Sequence, residues 1–186
     1  RNKIKFLVII LVAFSTTKYH LVYNEKRKFV DLQNIDILKA VNADLLSPKF
    51  NNLKWITPSE YNENPLKELK LIKESIEIIK LDKREKMLIT HYQFFSSILK
   101  ENLNIPNRWY YTNNTFPASS LNIYYDEYIE KFYNKVIQKK IEVIYLAKSN
   151  SAEFKNINFS DLLKNNCFSV KKHNEMLESI KIKKCN

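Results

Sequence analysis

The chain has 186 residues, 45% of them hydrophobic and 27% charged, with 31 Lys and Arg against 20 Asp and Glu for a net charge of +11. That apolar share supplies one packed core of ordinary size and excludes disorder of the high-charge, low-hydrophobicity kind. With 0 Gly, collagen and every Gly-dependent phosphate loop are excluded, because Rossmann and Walker turns need positive φ and close backbone approach to phosphate.

Residues 6–14 (FLVIILVAF) form an apolar run flanked by Lys3, Lys5 and Lys18. The run is shorter than the ~20 residues of a membrane span, and reaches that length if Lys5 and Lys18 snorkel while Tyr19 and Tyr23 sit at the interface. It reads as a last membrane helix, as a signal peptide closed by Ala13, Phe14 and Ser15, or as a buried element. In the first two readings the basic flank stays cytoplasmic and the rest is delivered outside. Beginning at Arg1 instead of Met, the chain reads as processed or as part of something longer. The expected division is residues 1–32 as the end of a transmembrane helix and its extramembrane continuation, 33–52 as connector, and 53–186 as an extracytoplasmic domain. Lys26, Arg27 and Lys28 would lie near headgroups.

Residues 53–57 predict a short strand stopped by Pro58, which lacks a ladder amide. Asn64 and Pro65 form a cap and first helical position, and Leu66, Leu69, Ile72, Ile76 and Ile79 follow at helical spacing. The nearly continuous apolar run 86–95 (KMLITHYQFF) predicts a strand buried on both faces, with a helix over 96–102 after it. A short strand over 107–112, a helix over 122–140 and a buried strand over 141–147 (IEVIYLA) complete the body. The tail predicts a short helix over 159–165, an extended piece at 168–170, a helix near 173–178 and an edge strand at 180–184. Strand and helix in alternation predict a small three-layer α/β fold, a mostly parallel sheet flanked by helices, because parallel neighbours need helical crossovers.

Cys167 and Cys185 bracket a short loop and read either as a disulfide of an oxidising compartment or as two buried thiols. As a disulfide the pair contributes about 3 kcal/mol in the loop-entropy picture. No metal site is expected, since His173 alone stands nearby and no CxxC spacing occurs.

Ligands of such sheets sit beyond the carboxyl ends of the strands. There stand His91 and Gln93 after one strand, Arg108 and Trp109 after another, and Glu60 after the first. His91 would act as general base with Glu60 orienting it and Arg108 holding an anion. Against that, no Ser, His and acid set and no carboxylate pair is visible, so these side chains also read as satisfied polar groups beside a core that takes Trp55 and Trp109. No catalytic residue and no cofactor is assigned. The sequons at Asn113 and Asn158 are what so Asn-rich a chain produces by chance. The positive charge suits a membrane surface or lipid phosphate, and nucleic acid is not expected, because no RNP, KH or finger motif appears.

Several segments resemble a family. Residues 16–21 (TTKYHL), 24–29 (NEKRKF), 53–58 (LKWITP), 86–97 (KMLITHYQFFSS), 108–110 (RWY), 141–145 (IEVIY) and 182–185 (IKKC) resemble the C-terminal region of bacterial polytopic membrane proteins. Those proteins are similar to GT-C-type glycosyltransferases that use polyprenyl-phosphate sugars. The resemblance covers most of the chain and implies that the catalytic residues lie upstream of Arg1. The implied location is the bacterial inner membrane with this domain in the periplasm. Membrane lipid, the upstream membrane domain and a polyprenyl-phosphate sugar or glycan acceptor are the implied partners. The alternative is a secreted or singly anchored binding protein or small hydrolase with a site around His91 and Arg108.

Overall fold

The computed structural model describes residues 2–25, 35–57, 61–107, 120–148, 157–164 and 167–183. Helix α1 (Asn2–Tyr19) runs on into a π-helical turn, His20–Glu25. Within it, Lys3–Val22 is long and apolar enough to cross a membrane, and 0% of that stretch is buried. Phe6, Ile9 and Phe14 are all exposed. The reading of this run as a buried element is therefore overturned, since a core element would have a covered face.

Residues 37–50 make three single turns of 3-10 helix, and β1 (Val41–Asn42) pairs antiparallel with β2 (Lys54–Trp55). Within this stretch Leu46 reaches the core. Helix α2 (Pro65–Leu81) starts where expected: the Asn64 side chain accepts a hydrogen bond from the Lys67 amide, and Pro65 takes the first position. Its Leu69, Ile72, Ile76 and Ile79 are buried. Strand β3 (Lys86–Thr90) is buried throughout but shorter than the apolar run, which turns into α3 (Phe95–Leu99). The turn is chemical: the Tyr92 amide donates to Thr90 Oγ1 and Gln93 Nε2 donates to the Thr90 carbonyl, each at 3.0 Å. Helix α4 (Tyr125–Gln138), strand β4 (Val143–Ala147), helix α5 (Phe159–Leu163) and strands β5 (Cys167–Lys172) and β6 (Leu177–Lys183) follow. The strand expected over 107–112 lies almost wholly outside the described residues.

The larger sheet has the order β3-β4-β6-β5. β3 and β4 are parallel, with Leu88 opposite Tyr145, while β6 is antiparallel to both β4 and β5. A mostly parallel sheet is thus corrected to a mixed one. The cause lies in the tail, where residues 173–176 form a tight turn and not the expected helix. Asn174 Oδ1 accepts from the Met176 and Leu177 amides at 2.9 and 2.7 Å, and the His173 amide donates to the Leu177 carbonyl at 2.9 Å. The closing strand is consequently interior and β5 forms the edge. Leu177, Ser179 and Ile180 are buried, a burial that an edge position would not provide.

Helices stand against both faces. Leu88, Val143 and Tyr145 pack with α2, whereas Met87, Ile89, Ile144 and Leu146 pack with α4 and α5. Each such side chain, taken fully from water, contributes about 1.5–3 kcal/mol. The free edge of β3 is covered by residues 103 and 104: the Leu88 amide donates to the Leu103 carbonyl at 2.9 Å and Asn104 Nδ2 to the Lys86 carbonyl at 3.0 Å. That cover blunts an edge otherwise open to pairing with another chain.

Candidate functional site

Of the side chains expected at the strand ends, the structure places His91 and Gln93 directly beyond β3. Gln93 is half-buried and spends its amide on the Thr90 carbonyl, so it shapes the turn. His91 is half-buried as well. Glu60, Arg108 and Trp109 lie outside the described residues, so that set is not assembled here.

Tyr92, the residue after His91, reaches a buried acid on α2. Glu68, in the first turn of α2, is 0% exposed. Its carboxylate accepts from Trp55 Nε1 at 2.8 Å, from Thr57 Oγ1 at 2.8 Å and from Tyr92 OH at 2.7 Å. A buried carboxylate so supplied with donors is satisfied, and it ties β2, α2 and the turn after β3 together. An acid at one helix face, with a Trp on a short strand and a Thr two residues after it, is the signal that the sequence offers for it.

A second polar group occupies the α2 side of the sheet over β4 and β6. Asp82, just past α2, takes Nε and Nη2 of Arg84 at 3.0 and 2.7 Å and the Tyr145 hydroxyl at 2.6 Å. The Arg84 guanidinium, with help from Tyr145, holds the Asp82 carboxyl far below the usual carboxylate range despite burial. Burial and the same carboxylate push the Tyr145 hydroxyl well above its ordinary value, so it stays a proton donor. His173, 6.1 Å ring to ring from Tyr145, contacts Ser179 Oγ through Nε2 at 2.8 Å. Burial first, then the nearby Lys171, lowers the His173 imidazole below 6.5, keeping it neutral at pH 7. Register explains the grouping, since Tyr145 lies opposite Ser179 and Ser179 opposite Lys171. None of this was legible in the tail, where His173 was expected on a helix.

His173 and Asn174 form one wall of an open groove of about 520 Å³, with Lys73, Glu74, Glu77 and Ile78 of α2 as the other. Ser179 is buried and its hydroxyl is engaged with His173, so the pair offers no accessible nucleophile. Among the described residues no group of three or more His, Cys, Asp and Glu side chains is placed to hold a metal ion. The groove is lined mostly by apolar surface with Lys and Glu heads at its rim, and Asn174 Nδ2 donates across it to Glu74 at 3.3 Å. Comparison with family models, curated proteins and solved structures finds no match for this chain.

Proposed function

We propose that the chain is the membrane-anchored, outward-facing end of an integral membrane protein, with α1 as the last membrane helix. In this reading the folded part lies in the periplasm of a bacterial cell. It binds or positions a glycan acceptor, or packs on the membrane part, while the chemistry belongs to residues upstream in a protein similar to GT-C-type glycosyltransferases. The observation that carries the reading is the 20-residue span Lys3–Val22, of which 0% is buried, so that its apolar side chains find no cover in the folded part. Water does not tolerate such a surface, and a bilayer core does. Cys167 is disulfide-bonded, which fits an oxidising compartment; Cys185, the other cysteine, lies outside the described residues. The domain is read as three layers, with α2 and α3 on one face of the sheet and α4 and α5 on the other. Its groove serves binding better than catalysis, because His173, the one lining imidazole, is engaged with the buried Ser179.

Protease treatment decides the matter. In intact cells the domain should be protected, and it should be digested once the outer membrane is opened. Digestion only after the inner membrane is broken would overturn the reading. Release of the domain in soluble form without α1 would instead favour the secreted alternative with His91 in its site.

A further inference from the structure

Large apolar side chains stand in water at one pole of the folded domain. Leu38 is 95% exposed, Leu121 93% and Ile123 86%, with Ile37 and Tyr124 beside them. Single exposed hydrophobes are ordinary, but a group of them at one place marks an interaction surface.

The topology puts these residues at the same end of the sheet, beyond the carboxyl ends of β3 and β4. Helix α2 returns to β3 through a short loop, so its first turns lie past Thr90, where Tyr92 reaches Glu68. Lys39 pairs with Glu63 just ahead of α2, which places Ile37 and Leu38 there. Helix α4 leads into β4 in the same manner, so its start lies past Ala147. Tyr125, its first residue, meets Asp161 of α5, the helix that follows β4. Leu121 and Ile123 immediately precede it. Ile37 and Leu38 therefore stand on the α2 side of the sheet, and Leu121 and Ile123 on the α4 side of the same pole.

This is also the pole at which the chain arrives from α1. The nine residues 26–34 between Glu25 and Ile35 span at most roughly 35 Å when fully extended. A domain of about 150 residues is itself roughly 40 Å across, so a tether of that length brings its own entry pole toward the bilayer.

We infer that this pole docks on the lipid surface of the membrane that α1 spans, with Leu38, Leu121 and Ile123 entering the headgroup layer. The inference rests on the anchored reading of α1. Residues 35–186 carry 24 Lys and Arg against 18 Asp and Glu, a net +6 that adds attraction to an anionic leaflet.

The test uses the full chain, its disulfide intact, reconstituted into vesicles of phosphatidylcholine and phosphatidylglycerol. An environment-sensitive fluorophore is placed on Leu121→Cys and, for comparison, on Leu81→Cys, since Leu81 is 75% exposed at the opposite pole. Emission at position 121 should shift to the blue and be quenched severalfold more by a nitroxide near the lipid headgroup than emission at 81. Adding Leu38→Glu and Ile123→Glu should return it to the value in water. Because these side chains are exposed, the variants should fold. Equal quenching at the two positions would overturn the docking while the protein still floats with the vesicles. A blue shift that follows protein concentration and ignores the lipid quencher would also overturn it and assign the pole to a second copy of the chain. Failure to float would sink the anchored reading and the docking with it.

Discussion

At the scale of single residues, Asp82 shows how a conformation is held by charge. Its carboxylate joins the end of α2 to Arg84 and, through Tyr145, to the centre of the sheet. Tyr145→Phe removes a hydrogen bond to an ionised group and should lower stability by about 2 kcal/mol, read as a shift in the urea midpoint. The pH dependence follows from two lowered values. For Asp82 the folded value lies below the unfolded one, so its contribution is complete above about pH 4 and is lost as pH falls through the folded value. For His173 the folded state resists a proton that the unfolded chain accepts, so stability declines as pH drops below 6.5. Stability measured from pH 7 to pH 2 should therefore fall in two stages, the lower one beginning near pH 4. His173→Gln should flatten the upper stage and Asp82→Asn the lower. A flat profile in the unaltered chain would refute both assignments. Neither side chain was legible as a partner of the other, because residues 82, 145, 173 and 179 meet only after two crossovers and a hairpin.

At the scale of elements, the two amphipathic helices α2 and α4 are where hydrophobic spacing predicts them, while the helix expected near 173–178 is a turn. Leu69, Ile72, Ile76 and Ile79 lie on one face of α2 because a period near 3.6 survives in the sequence whatever packs against it. The strand β3 was legible as apolar, but its end was not. Phe94 and Phe95 are as hydrophobic as the strand, and hydrogen bonds at Thr90 and Gln93 turn the chain before them. The absence of glycine leaves a mark on the element ends. Left-handed backbone at Asn52, Lys100, Asn104, Lys140 and Lys164 is taken by Asn and Lys, residues with a Cβ that disfavours it. Lys140, between α4 and β4, has φ 51° and an exposed side chain. Lys140→Gly should raise thermal stability by roughly 0.5–1 kcal/mol, since glycine adopts that conformation without the steric cost. A loss of stability would show that the lysine stem packs on neighbours more than its backbone suffers.

At the scale of the whole molecule, a mixed sheet carries helices on both faces and an exposed apolar helix precedes it. The tail that completes the sheet is held by the pairing of β5 with β6 and by the disulfide at Cys167. Cys167→Ser should cost about 2–4 kcal/mol. Its effect should match that of adding reductant to the unaltered chain. A much smaller loss would mean that the β5–β6 pairing alone holds the tail.

The sequence by itself determined what depends on near neighbours: the apolar span of α1, the caps and face of α2, the amphipathic run of α4 and the buried runs of β3 and β4. Each is written in a local period or a local run, and burial only ratifies it. The tertiary structure decided strand direction and order, because a segment such as 177–183 pairs equally well in either sense until the turn at Asn174 sends it back. It also decided which polar groups meet. The bond from Tyr145 to Asp82 and the contact of His173 with Ser179 arise from register across strands far apart in the chain, and sequence spacing carries no record of that.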